Sequence, residues 1–417
     1  MTFSDLMLRP TEERDRAAFI NLARLSFMPL MSQVEMEQEL GDRALNPAGQ
    51  PGWVVENAAG HLVARYRQFE FDLYLAGVKF PMAGVGSVAV AVEHRAQGVA
   101  QWMLAQALQN FRDEGSLLSM LYPFRQGFYR KLGWARVGIT HQYRVASRFL
   151  PLSAERSHLT AYQPSQEAAL KRLYTEMAMH QNGWLHRAEW WWEGFFKPKG
   201  GREIYVYQEG DRLLGYVVLE FAKLEPEKDQ LAAIVREWVA PTPAAYRGIL
   251  GFLGSLRDQI TTIVWNGTPD DPFPYLLNEQ QADPALTLPH FNFNFMRLFG
   301  LTSGGFMWRL VDPKAAIAHR PIAAIAPFSL TFHLTDPVFG EDRFTVEFAD
   351  GAAHLCSTPA TTTLKTSVDH LVELFCGLRR SRQLRWTGEL ELEGDPALLT
   401  QLDAAWETQP PFCWDAF

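Results

Sequence analysis

Cysteine is scarce, with only Cys356, Cys376 and Cys413 in 417 residues. An odd number without CxxC or Cys/His spacing argues against both a disulfide framework and a zinc site, and leaves free thiols. The eleven histidines form no HExxH pair and no Ser-His-Asp spacing, so no metal centre or hydrolytic triad is expected. Long apolar runs are missing as well. No segment approaches the roughly 18 residues of a membrane span, and MTFSDLMLRPTEERD carries charges where a secretory leader needs an apolar core. The expectation is a cytoplasmic protein with no membrane partner. Positive charge is not in excess: 39 basic and 47 acidic side chains give a net charge of −8, which offers no field for nucleic acid and suits a cationic substrate.

What is abundant is core-forming material, 47% hydrophobic with 13% aromatic residues, enough for two or three domains. The first 150 residues predict the order α, α, β, β, β, α, β, α, β. The helices at 13–24 and in SQVEMEQEL come first, followed by strands with turns at Ala59-Gly60 and Ala76-Gly77. Composition shifts near Phe149-Leu150-Pro151. A helix in SQEAALKRLYTEMAMH, two strands around Glu209-Gly210-Asp211, then strand, link, helix and strand faintly repeat the first unit. Tyr246-Arg247-Gly248 falls at the expected helix entry of this repeat. The Pro- and Asp-punctuated stretch NGTPDDPFPYLLNEQQADPALTLPH reads as packing between domains. Beyond about residue 297 the pattern becomes a third α+β region. The predicted domains are therefore 1–150, 151–296 and 297–417.

The chemistry concentrates in VGSVAVAVEHRAQGVAQWMLAQAL, where a β-branched run passes through Arg95-Ala96-Gln97-Gly98-Val99-Ala100 into helical spacing. A helix N-terminus presents unpaired N–H groups and the positive end of its dipole, and Gly98 lets an anion approach the backbone closely. Arg95 supplies charge-assisted bonds and Gln97 a neutral donor. The lysine of a P-loop and the three glycines of a dinucleotide fold are both missing. A glycine chosen only for packing at a helix start explains the same six residues.

The (Arg/Gln)-x-x-Gly-x-(Gly/Ala) spacing at Arg95, Gly98 and Ala100, with GFYRKLGW downstream, resembles the GCN5-related N-acetyltransferase (GNAT) superfamily. The resemblance implies that this loop holds the pyrophosphate of acetyl-coenzyme A, and that the strand before it, about 88–92, bonds the pantetheine arm through Val88 and Val90. LYPFRQGFYRKLGW, a degraded second unit, a carrier-like third region and a chain ending in Phe417 look like the Eis (enhanced intracellular survival) family. The implied fold is α+β: tandem GNAT-like mixed-sheet domains followed by a sterol-carrier-protein-like domain. The family is hexameric, so a homo-oligomer is implied.

The resemblance further implies direct acetyl transfer to an amine, an aminoglycoside, polyamine or lysine side chain, without a metal. Tyr129 would be the general acid that protonates the leaving thiolate, and the α-carboxylate of Phe417 the general base. Each has a competing reading. Tyr129 also fits as an amphipathic packing residue, and a water chain can deprotonate the amine while the carboxylate only positions it. An α-carboxyl has an ordinary pKa of about 3.3–3.7 and needs apolar neighbours to serve near neutrality, a role open to Trp414 and the Phe417 ring. Phe412, Trp414 and Phe417 make a tail costly to leave in water.

His94 reads equally as a surface residue. EWWWEGFF at 189–196 reads better as a helix packing between domains than as an aromatic substrate box, and the basic GLRRSRQLR as a solvated stretch. Two competitors remain, a lipid or acyl-chain carrier and a non-catalytic acyl-coenzyme A sensor.

Overall fold

The structure, a computed structural model, describes residues 3–41, 45–197, 201–223, 230–279 and 300–417. Among these residues the strands form three sheets. The first has eight strands, in the order Leu6–Pro10, Gly52–Asn57, Leu62–Leu75, Val78–Val90, Leu118–Leu121, Met307–Leu310 and Ala135–Arg136, with Leu185–His186 beside Leu62–Leu75. The strand Leu6–Pro10 was not expected. Its proline closes an outer strand, where the missing N–H does no harm, and the apolar alternation is too short to announce it. The helices Arg16–Phe27 and Gln33–Leu40, the three long strands and the helix Val99–Asp113 follow in the expected order.

Local chemistry explains these elements. Ala76 and Gly77 both have positive φ, 50° and 81°, as a two-residue I′ hairpin turn between Leu75 and Val78 requires. Val99, Met103, Leu104, Ala107, Leu108 and Phe111 make one buried stripe along Val99–Asp113, which lays that helix across the sheet.

The second sheet runs Gly300–Gly304, Ile139–Ala146, Ile260–Gly267, Leu231–Val239, Arg212–Lys223, Arg202–Glu209 and Leu159–Ala161. The third runs Ala352–Cys356, Gly340–Ala349, Phe328–Asp336, Thr363–Ser367 and Leu390–Glu393. Sheet membership crosses the chain order in both directions. Ile139–Ala146, from the first 150 residues, sits in the second sheet, while Met307–Leu310, from beyond residue 297, pairs with both Leu118–Leu121 and Ala135–Arg136. The expected boundary at 296/297 and much of the Pro- and Asp-rich stretch lie outside the described residues.

The inserted strand carries Arg309, fully buried and paired with Asp336 at 2.7 Å. Gly133, with φ +86°, lies beneath that guanidinium, so a side chain there would both strain the backbone and collide with Arg309. One continuous apolar cluster joins Phe69, Phe71 and Met82 of the first sheet to Phe332, Val368 and Trp406 of the third unit.

Candidate functional site

The parallel strands Val78–Val90 and Leu118–Leu121 pair from Met82↔Leu118 to Val85↔Leu121 and then part. The register with Leu62–Leu75 shifts between Arg65 and Arg67, at a bulge where Ser87 has φ +54°. Arg65 pins this bulge: it donates to Ser87 Oγ and the Phe19 carbonyl, both at 2.8 Å, and stacks 3.5 Å over the Phe19 ring. Beyond the bulge Ala91 N–H bonds the Val63 carbonyl at 2.9 Å. Because bonded and non-bonded positions alternate in an antiparallel ladder, Val88 and Val90 turn their N–H and C=O groups into the fork. Sheet edges opened this way offer hydrogen bonds to an extended amide-bearing ligand.

The fork leads to the helix Val99–Asp113. Gly98 is its N-cap, at φ +83°, and Ala96 is also left-handed at φ +60°. The N–H groups of Val99, Ala100 and Gln101 therefore have no acceptor one turn back and face outward at the positive end of the helix. The side chains behave differently from the expectation of direct donors. Arg95 folds back onto the Val90 carbonyl and Ser26 Oγ, both at 3.2 Å, and Gln97 onto the Glu93 carbonyl at 2.9 Å. What the loop offers an anion is chiefly backbone N–H. These residues fit a diphosphate at the loop and a pantetheine amide chain along Val88 and Val90.

Tyr129 lies on the short helix Gln126–Arg130, only 3% exposed, in the apolar cluster that also contains Val85, Val99, Met103 and Leu121. Its ring meets Phe128 at 5.0 Å and Phe124 at 5.6 Å. Burial pushes its phenol up to about 12, which makes it a weaker acid than an exposed tyrosine.

The C-terminal tail crosses the molecule to the other face of the same strand. Phe412 N–H bonds the Asn182 carbonyl at 2.8 Å, and Trp414 packs on Trp184 and Trp238. The Phe417 ring lies 4.9 Å from Phe69, 5.4 Å from Phe71 and 5.9 Å from Tyr122. A Cβ on Gly84 would stand 2.6 Å from that ring, and one on Gly86 would stand 3.4 Å from the Phe417 carboxyl carbon. Side chains alternate along a strand, so Val85 points to the Tyr129 cluster while Gly84 and Gly86 face Phe417. The Tyr129 cluster and Phe417 thus lie on opposite faces of Val78–Val90 near the last rung of its pairing with Leu118–Leu121.

Sequence reasoning missed Gly84, Gly86, Arg65 and Tyr122. Two glycines inside a strand were the available signal, since they mark a close approach. It also missed a buried ion cluster. Asp415 accepts from Arg187 Nε at 2.9 Å and Trp191 Nε1 at 2.7 Å, and Arg187 also pairs with Glu237 at 2.6 Å. A cavity of about 610 Å³ opens beside the tail. Its walls include Arg187, Arg202 and Arg236 against Glu220, Glu237 and Asp415, an even balance of charge.

The second unit repeats the fork and closes it. Leu231–Val239 and Ile260–Gly267 pair as far as Ile234↔Val264, but Asn266 Nδ2 then bonds the Val235 carbonyl at 2.9 Å and Trp238 stacks on Trp265. The helix Pro243–Ser255 starts at Thr242, whose hydroxyl takes the Ala245 N–H, with Pro243 in the first turn. Tyr246-Arg247-Gly248 therefore lies inside the helix, not at its entry, and Gly248 packs against the Tyr207 ring.

The helix Glu189–Phe196 packs between units: Trp192 is buried, and Trp190 and Trp191 rest on Phe71. The three cysteines are free, and among the described residues no group of His, Cys, Asp or Glu is arranged to hold a metal. No described helix is long and apolar enough to cross a membrane.

Residues 7–137 match a model of an acetyltransferase (GNAT) domain, 183–298 a second acetyltransferase (GNAT) model, and 313–414 a sterol carrier protein domain. The chain is 24% identical over 378 residues to the N-acetyltransferase Eis of Mycobacterium tuberculosis, covering 86% of this chain and 87% of that one. It is 26% identical over 384 residues to an uncharacterized N-acetyltransferase of Streptomyces griseus, covering 86% and 88%. Two solved structures share the fold. A GCN5-related N-acetyltransferase from Anabaena variabilis superposes with a TM-score of 0.83 at 19% identity, over 99% of this chain and 100% of that one. Eis1 from Mycobacterium abscessus superposes with 0.75 at 19% identity, over the same shares.

Proposed function

From the premise that this chain is an Eis-like member of the GCN5-related N-acetyltransferase superfamily, and an acetyltransferase, we propose that it acetylates an amine directly from acetyl-coenzyme A. The observation that carries this reading is the Phe417 carboxyl group beside Gly86, one residue past the last paired rung. GNAT acetyltransferases use acetyl-coenzyme A, which supplies a thioester carbonyl as the electrophile. Gly98, Val99 and Ala100 would hold its diphosphate through backbone N–H groups, with Arg95, Ala96 and Gln97 shaping the loop, and Val88 and Val90 would bond its amides.

In this mechanism the Phe417 carboxylate takes a proton from the incoming ammonium, so that neutral nitrogen attacks the carbonyl carbon. As the C–S bond breaks, the nitrogen sheds its remaining extra proton, which ends on the departing sulfur so that coenzyme A leaves as the thiol, and the Tyr129 hydroxyl donates toward that sulfur while it carries charge. A phenol near 12 is a weaker acid than an ordinary thiol of about 8.5, so Tyr129 acts by a hydrogen bond that tightens while negative charge grows on sulfur. No acyl-enzyme is formed. The net charge of −8 supports a cationic amine, such as an aminoglycoside, polyamine or lysine side chain. The evenly charged cavity by the tail does not add to that preference.

The same reading includes the domain division 1–150, 151–296 and 297–417, a cytoplasmic location and a homo-oligomer, hexameric as in the resembling family. A lipid-carrier reading finds little support. The interior of the third unit is filled by Phe332, Phe348, Phe375 and Trp406, with Arg320 buried among them and donating to the Trp406 carbonyl at 2.9 Å.

The test is acetyl-coenzyme A turnover with a panel of amines, for the natural chain, Tyr129→Phe and a chain lengthened by one glycine after Phe417. Each change is expected to lower kcat at least about tenfold. Unchanged rates in folded protein reject the roles assigned to Tyr129 and the Phe417 carboxylate.

A further inference from the structure

We propose that the buried Asp415–Arg187–Glu237 cluster is a clamp that sets the position of the Phe417 carboxylate, with Asp415 and Arg187 as positioning residues. The proposal rests on the reading of that carboxylate as the base. Its ground is the geometry two residues upstream of the chain end. The Asp415 carboxylate takes two bonds from Arg187 Nε, at 2.9 and 3.1 Å, one from Trp191 Nε1 at 2.7 Å and one from Tyr174 at 3.3 Å. Its carbonyl takes the Tyr122 hydroxyl at 2.5 Å. Both ends of the residue are thereby fixed, and only Ala416 separates it from Phe417.

Arg187 is in turn held. Glu237 accepts from both of its terminal nitrogens, at 3.0 and 2.6 Å, and also takes the Tyr216 hydroxyl. The guanidinium lies 3.9 Å over the Tyr174 ring and is enclosed by Trp192 and Phe195. All three charged side chains are at most 6% exposed.

A cluster of one guanidinium and two carboxylates is a poor way to gain stability, because desolvation offsets the attraction and apolar side chains of equal volume often do better. What such a cluster supplies is direction. Apolar packing of Trp414 and the Phe417 ring tolerates slippage along the groove, whereas five hydrogen bonds to one residue do not. The partners come from both units: Tyr122 borders the first fork, and Glu237 lies on the strand of the closed second fork. The second unit, having no open fork of its own, thus serves as the anchor from which the base is presented to the first.

Asp415→Asn leaves a one-to-one Arg187–Glu237 pair and is expected to fold. Trp191→Phe keeps the ring and deletes one donor, and serves if the first variant does not fold. Two readouts are taken: release of Phe417 by carboxypeptidase A, which reports tail position without activity, and kcat with KM for acetyl-coenzyme A. The expected result for Asp415→Asn is faster release and a kcat lowered at least about tenfold, since small misplacements of a reacting group are costly, with KM for acetyl-coenzyme A within about twofold. Trp191→Phe is expected to move both in the same direction by less. Faster release with unchanged kcat supports the clamp and removes the base reading instead. Unchanged release overturns the clamp, whatever happens to kcat.

Discussion

Tyr129, proposed as the donor to the leaving sulfur, is first a packed side chain, 3% exposed in the apolar cluster beside the first fork. Its burial, which the sequence left open as a mere packing role, also holds its proton to higher pH than an exposed phenol would. The phenol is pushed up to about 12 in the folded protein and is near 10 in an unfolded chain. Below pH 10 both states are protonated and its contribution is fully present. Above pH 10 the unfolded chain loses the proton first, so stability falls until the pH passes about 12. For this group alone the slope approaches about 1.4 kcal/mol per pH unit. Urea unfolding at pH 10 and 11 should therefore show a loss about 1 kcal/mol greater in the natural protein than in Tyr129→Phe. Equal losses would mean that the phenol titrates as though exposed.

Elements, more than residues, separate the two forks. Both are parallel pairs that part after four rungs, yet one leads to a loop with Gly98 at φ +83° and the other to Thr242 and Pro243, whose helix start is already satisfied. The first fork was legible in the sequence because its signals are local: a β-branched run, then arginine, glycine and a helical stripe within twenty-four residues. The plug in the second was not, since Asn266 reaches Val235 across 31 residues. Nor was the clamp, in which Asp415 and Arg187 are 228 residues apart and neither neighbourhood suggests a partner. Arg95 and Gln97 were legible as residue types, but their orientation depended on Ser26 and on backbone carbonyls that no spacing reveals. One open fork predicts one coenzyme per chain by isothermal titration. Alanine at Gly98 must adopt a left-handed conformation costing about 1–2 kcal/mol, so Gly98→Ala should weaken binding roughly tenfold or more. Two equivalents per chain would show that the second fork opens in solution.

Across the whole molecule, the first fork depends on chain that arrives last. Leu118–Leu121, which forms one arm of the fork, is covered on its far side by Met307–Leu310, and that strand also holds Ala135–Arg136. The helix carrying Tyr129 is slung between these two arms. Trp308 and Arg309 of the inserted strand are fully buried, and Asp336 of the third unit holds the arginine in place. A chain ending at residue 296 would lose this strand, leave Leu118–Leu121 as a bare edge and expose the apolar surface that Phe69, Phe71 and Met82 share with the third unit. It would also lack the tail, and with it the carboxylate at Gly86. Such a chain is expected to aggregate on expression, or, where a soluble fraction survives, to bind acetyl-coenzyme A weakly and turn over no amine. Light scattering, titration calorimetry and the turnover assay distinguish these outcomes. A monodisperse 1–296 chain with natural turnover would show that the strand and the tail are both dispensable, and the interlocked arrangement would then have no bearing on catalysis.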